Sequence, residues 1–323
     1  MINKLTALVL FTGIVILGIL TALESRPEPL PPIKKWEVVY SYYSTGHTMN
    51  GIWGTDANDI WAYGPSDRMF HWDGSSWSEV SIPVATISIE SMWGSSSDDI
   101  WAIGQPYRDE GEILHYDGNA WSKVSTTSNP YPGTDYLAYP LLGIWGNNTN
   151  DIWIVGDFGK IIHWNGNSWT IVQSNTDKSL FEVWGFSDTD VWAVGDGGCV
   201  MHWNGSSWSD IQSNTSERLE GIWGSTTNDF WVCGNTGILL HWDGSNFSLA
   251  DVSQYHFTSL WGTGSNDIWG TGFDVYHWDG NEWSRINVPP GEGPNSSRGL
   301  EKIWAFDTDN VWGVAGRNIF RYQ

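Results

Sequence analysis

From Trp36 onward, apolar and polar positions alternate in short runs, and clusters of Gly, Asn, Asp and Ser interrupt every run. A period of two puts successive side chains on opposite faces of an extended strand. In "DIWAYG" it sends Ile60 and Ala62 one way and Trp61 and Tyr63 the other. Four such runs make one unit, and the unit returns at a spacing of roughly 40 residues, the hallmark of a repeat architecture. The pattern predicts an all-β domain over residues 36–323, assembled from repeated four-stranded sheets.

Aromatic residues keep the register of the repeat. A first Trp recurs at Trp53, Trp93, Trp145, Trp184, Trp223, Trp261 and Trp304, and a second follows eight residues later at Trp61, Trp101, Trp153, Trp192, Trp231, Trp269 and Trp312. A third aromatic comes at Trp72, Tyr116, Trp164, Trp203, Trp242, Trp278 and Tyr322, and in six units another lies five residues on, from Trp77 to Trp283. Only Gln323 follows Tyr322, whereas "KKWEVVY" supplies a matching final strand at Trp36 with nothing like the rest of a unit before it. The two fragments are complementary. The expectation is a closed ring, a seven-bladed β-propeller in which residues 36–40 complete the last sheet, because radial closure leaves few open strand edges. An open solenoid gives no reason to divide one repeat between two ends.

Residues 1–23 follow a different rule. After Lys4, "LTALVLFTGIVILGILTAL" runs nineteen residues without a charge, about the ~20 that span a bilayer as a helix. The reading is a signal anchor, with a cleaved signal peptide as the alternative. Lys4 before the span and Glu24, Arg26 and Glu28 after it place the bulk of the chain outside the cytoplasm. Residues 24–35 form a Pro-rich linker, "ESRPEPLPPIKK", that holds the domain off the membrane.

Charge narrows the partners. Fifteen Lys and Arg stand against 37 Asp and Glu, a formal charge of −22 that repels a phosphate backbone, so nucleic acid is set aside. Two cysteines, Cys199 and Cys233, exclude a disulfide scaffold and a Cys-based zinc site but leave one bridge open. No cofactor is implied.

Constant positions read first as structure. Twenty-five Trp residues, most at fixed offsets, are core aromatics, since a binding aromatic need not recur in every blade. The acidic position before the second Trp, at Asp59, Asp99, Asp151, Asp190, Asp229 and Asp267 with Asn310 last, reads as a turn lock; calcium is the rival. Six of eight histidines share one position, His71 through His277, with Arg321 in the seventh unit, and a buried hydrogen bond to a nearby turn is expected there.

With the motif "WG...DIWAVG...HWDG..W" in place, residues 36–323 resemble the extracytoplasmic propellers with Trp-rich, WD40-like or Asp-box-like repeats. "HWDGSSW" departs from the usual Asp-box Ser-x-Asp-x-Gly-x-x-Trp, which separates this chain from sialidase-type members. The resemblance implies a binding or assembly platform. Two segments break the regular spacing: "GQPYRDEGE" at 104–112, between the second and third strands of its blade, and 122–143, between that blade and the next. Both fall on one face, which carries Tyr107, Arg108, Asp109, Tyr131, Tyr136 and Tyr139 as candidate partner-binding residues. No nucleophile with a base, metal motif or carboxylate pair stands apart from the repeat. The reading is a monomeric, non-catalytic protein-binding platform outside the cytoplasm; a lectin-like glycan binder ranks second and a glycoside hydrolase or lyase third.

Overall fold

The computed structural model describes residues 34–42, 48–65, 68–84, 87–106, 111–124, 139–250, 257–289 and 299–323. The chain divides into the units Met1–Lys34 and Lys35–Gln323, of which the second holds all the repeats. Among the described residues no helix is long and apolar enough to cross a membrane, and the helix expected over 1–23 lies outside them.

Seven antiparallel sheets of four strands form the domain. Strands A to D of blade 4, for example, are Leu180–Ser187, Asp190–Gly195, Val200–Trp203 and Trp208–Asp210. The A strands of the other blades are Gly51–Asp56, Ile87–Ser96, Leu141–Asn148, Leu219–Thr226, Phe257–Gly264 and, in blade 7, Lys302–Ala305. Each A strand contacts the A strands of both neighbours, and Lys302–Ala305 meets Gly51–Asp56, so the ring closes around a central channel. In blade 7, Val311–Ala315 and Asn318–Tyr322 are strands B and C, and Trp36–Ser41 pairs outermost with Trp36 opposite Tyr322.

Turn chemistry fixes each hairpin. In the C–D turn of blade 1, Asp73 Oδ1 accepts the backbone N–H groups of Ser75 and Ser76 at 2.8 Å, and these bonds, with one from the Ser75 hydroxyl, draw its pKa down to about 2. Gly74 sits at φ +88°, where a Cβ would also lie 2.9 Å from Asn58 of the A–B turn. Glycine alone suits both conditions.

The second Trp of each blade fastens it to the next. Trp61 is buried between Tyr116 and Trp121 of blade 2, at centroid distances of 5.3 and 5.6 Å. Trp153 enters blade 4 in the same manner, against Trp203 and Trp208. Burying a large aromatic contributes roughly 2–3 kcal/mol before entropy is subtracted. On its other side the second Trp of blades 1 to 6 carries the blade's own His ring, 4.2 Å away at His71 and 4.0 Å at His163. His Nε2 in turn meets the blade's Asp at 2.6–2.8 Å in all six His-bearing blades. The Asp carboxylate therefore holds an imidazole and, in four blades, an indole N–H as well. Burial pushes the Asp59 carboxyl up, but hydrogen bonds from His71 and Thr55 outweigh it, and the net shift is downward, as for Asp99 and Asp267. In blade 7, Arg321 donates to Asn310 Oδ1 at 3.1 Å and covers the Trp312 ring at 5.0 Å. Cys199 and Cys233 are both free and buried.

Candidate functional site

The central channel has two mouths, made from different residues of the same strands. Relative to the first Trp, the positions one before it are apolar in every blade, Ile52 through Ile303, and the position one after it is glycine in six blades and Ala305 in the seventh. The positions two and three before it are where the blades diverge.

Three before the Trp stand Asn50, Glu90, Leu142, Phe181, Glu220, Thr258 and Glu301. In blades 2 to 6 this residue is the extra one of a β-bulge: Leu180 pairs with Gly195 and Glu182 with Val194, which leaves Phe181 unpaired. A bulge re-aims its side chain away from the ladder. Together these residues line a cavity of about 350 Å³ at the mouth facing the B–C and D–A connections. Arg218 lies 3.7 Å over the Phe181 ring and pairs with Glu220 at 3.1 Å. Burial raises the Glu90 carboxyl despite opposing hydrogen bonds from Ser88 and Gln105, and burial raises Glu301 too.

Two before the Trp, five blades carry Gly or Ser, and blades 4 and 7 carry Glu182 and Lys302. Space is short at this level, since a Cβ on Gly143 would lie 2.9 Å from Phe181 O and one on Gly221 2.9 Å from Cys233 Sγ. Glu182 and Lys302, from non-adjacent blades, meet at 3.0 Å and line both the cavity above and the one below. Burial works against the Lys302 ammonium, but Glu182 more than offsets it, and its pKa is raised. The side chains keep 29% and 19% of their accessible surface, so this pair forms a waist that remains wetted by the cavities it separates.

Below the waist, towards the A–B turns, six of the first Trp residues, all but Trp223, line a second cavity of about 330 Å³. Four of the seven lie over the glycine of the following blade: a Cβ on Gly94, Gly146, Gly185 or Gly262 would fall 2.5–2.7 Å from Trp53, Trp93, Trp145 or Trp223. Trp184, Trp261 and Trp304 pack on one another instead, with 261 and 304 stacked at 3.7 Å and 184 edge-on to 261 at 5.6 Å. Local sequence accounts for the change. Phe306 fills the space beside Gly54, 3.0 Å from a Cβ there, and Phe186 packs on Phe230 beside Gly224. Ala305 stands where Trp261 would need glycine, and Trp261 Nε1 donates to its carbonyl at 2.9 Å.

Of the sequence-predicted binding residues, Tyr107, Arg108, Asp109, Tyr131 and Tyr136 lie outside the described residues. Tyr139 is exposed and packs at 4.7 Å on Phe158, which is 64% exposed on the B–C turn of blade 3. Lys160 lies 5.2 Å from the Tyr139 ring. Gly111 and Tyr139, at the described ends of the two irregular segments, are neighbours: a Cβ on Gly111 would lie 3.1 Å from Tyr139 O. Sequence reasoning missed Glu182 and Lys302, although a charged residue at an otherwise Gly or Ser position was visible. It also missed Phe158. Among the described residues no group of three His, Cys, Asp or Glu side chains is placed to hold a metal ion.

Radial closure, four-stranded blades and the Trp–His–Asp fastener define a seven-bladed β-propeller with Trp-rich repeats, and solved structures with the same fold match about nine tenths of the chain. YCF48 from Cyanidioschyzon merolae superposes with a TM-score of 0.67 at 18% identity over 90% of this chain and 99% of its own. YCF48 bound to D1 peptide gives 0.67 at 17% over 92% and 99%. The WD40 repeats of RRP9 give 0.69 at 11% over 89% and 97%. At these identities the likeness is one of fold. Tectonin-1 of Physarum polycephalum is 41% identical over 63 residues, which is 19% of this chain and 24% of that protein. No family model matches the chain.

Proposed function

We propose that the chain is a non-catalytic protein-binding platform whose working face carries the B–C and D–A connections. The observation that carries this reading is a convergence on that face: the bulge-lined cavity, the exposed Tyr139–Phe158 pair and the described ends of both irregular segments. Loops on a rigid ring suit recognition, and bulged residues exempt from the repeat supply a surface that varies from blade to blade. A propeller of the same fold is known bound to a peptide. A peptide is accordingly the expected ligand class, and the Glu90 and Glu301 carboxyl groups favour one bearing Lys or Arg. The uncharged stretch after Lys4 supports a location outside the cytoplasm, with residues 1–23 as the anchor and 24–35 as the spacer.

The test is a displayed peptide library selected on the full chain, beside a variant with residues 128–139 replaced by a Gly-Ser link and a second carrying Glu90→Gln and Glu301→Gln. Enrichment of Lys- or Arg-bearing sequences by the parent, lost in either variant, is expected. Equal enrichment by all three proteins places the surface elsewhere, and no enrichment at all ends the platform reading.

In the same reading residues 36–41 act as the clasp of the ring. Trp36 is buried between Trp269 and Tyr322, the seat that Trp121 and its equivalents occupy in other blades. Deleting 36–41 removes about 3–5 kcal/mol of aromatic burial, a fall of roughly 10 °C in Tm. An unchanged melt would rule the clasp out.

A further inference from the structure

We propose that the Trp-lined cavity on the A–B turn side of the channel binds an organic cation, a quaternary or fully alkylated ammonium group. This cavity opens away from the B–C and D–A face, and its occupancy does not depend on peptide binding there. Its walls are indole rings set at angles to one another: Trp261 and Trp304 stacked, Trp184 edge-on to Trp261, and Trp53 at 5.8 Å and 54° to Trp304. Indole is the best of the aromatic faces for a cation, through the negative potential above the ring.

Charge on the A–B turns has one sign. None of the seven A–B turns carries Lys or Arg, and they present Asp56, Asp98, Asp188, Asp307 and Asp309 beyond the six fastener carboxylates. A cleft rimmed by one sign of charge focuses the field and concentrates counter-ions. Among the described residues the one ammonium lining the cavity, on Lys302, is neutralised by Glu182 at 3.0 Å. The described cation–ring contacts made by Lys160, Arg218 and Arg321 all lie elsewhere.

The repeat alone does not make this cage. In four blades the Trp covers the neighbour's glycine, and the cage exists because Phe186, Ala305 and Phe306 displace the other three. Those departures converge on one place, and a strongly hydrated ion such as sodium has little reason to enter an aromatic-walled space. A soft, alkylated cation sheds water cheaply and meets indole on several sides.

Calorimetry on the full chain with choline, tetramethylammonium and 3,3-dimethylbutan-1-ol, the uncharged isostere of choline, tests the proposal, with Trp emission as a second readout. Saturable binding of both cations, at least tenfold tighter than the isostere, is expected. Trp304→Ala should weaken choline at least tenfold. Phe306→Thr, which gives blade 7 the residue type of Thr55 and Thr263 and frees the space beside Gly54, should do the same with the fold intact. Equal affinity for the isostere would reduce the cavity to an apolar hole. Binding untouched by both substitutions, or no saturable binding of either cation, overturns the proposal.

Discussion

The two mouths of the channel are built by residues three positions apart on the same strands, yet one is varied and charged and the other is uniformly aromatic. The difference traces to backbone geometry. At the bulge the side chain leaves the ladder and owes nothing to its neighbours, so Glu, Leu, Phe and Thr all serve there. At the Trp position four of the seven rings are seated on the next blade's glycine and the other three pack on one another, so each ring has a fixed neighbour to fit. A repeat protein thus acquires an individual surface where its backbone escapes the repeat and keeps its architecture where neighbours interlock.

Substitutions of graded severity can break this contrast. Trp192→Ala, in the fastener, should destabilise by about 3–5 kcal/mol in chemical denaturation. Trp304→Ala, at the channel, should cost less than about half of that, since the site is already open to the cavity; equal losses would erase the distinction between the two kinds of Trp. Gly146→Val drives a side chain into Trp93, 2.6 Å from a Cβ, and overpacking of this kind costs about 1–3 kcal/mol. It should also turn Trp93 into the channel, seen as a red shift in emission.

Glu182→Ala strands Lys302 and should cost roughly 1–2 kcal/mol, below the figure for a fully buried pair because the waist is wetted. Lys302→Ala in addition should recover part of that loss. The sign with pH comes from the raised Lys302 pKa: the pair stabilises the fold below the ordinary lysine range and is lost as pH climbs through the raised value. The parent's advantage over the double variant should therefore fade in strong alkali. Glu90→Gln should have the smallest effect. A carboxylate raised by burial opposes folding above its folded pKa, so the variant should be slightly more stable at neutral pH and equal to the parent below the ordinary glutamate value of about 4.5.

Most of the architecture was legible because it is periodic. The Trp, His and Asp-Gly positions recur at fixed offsets, and period-two alternation placed their strands. The channel was illegible for the opposite reason. Glu90, Phe181 and Glu220 look like noise in an aligned repeat, and only the unpaired register shows that they share a mouth. Glu182 and Lys302 meet although 120 residues separate them, a pairing that composition does not reveal. The repeat pattern points the histidine bond at a nearby turn, and it lands at the edge of the A–B turn, on the fastener Asp that opens strand B beside the C strand.

Blade 7 shows that the fastener can be made another way. Arg321 and Asn310 replace His and Asp, and Trp312 is seated as firmly as its equivalents, at 1% exposure. Neither Arg nor Asn titrates across the acidic range, whereas the depressed carboxyls of Asp59, Asp99 and Asp267 give up their stabilisation as pH falls below about 3.8. The ring therefore contains its own template for acid hardening. Grafted into successive blades, the pair would exchange one negative charge for one positive at each step, and would convert a strongly anionic scaffold into a graded series with the same shape and a different colloidal character.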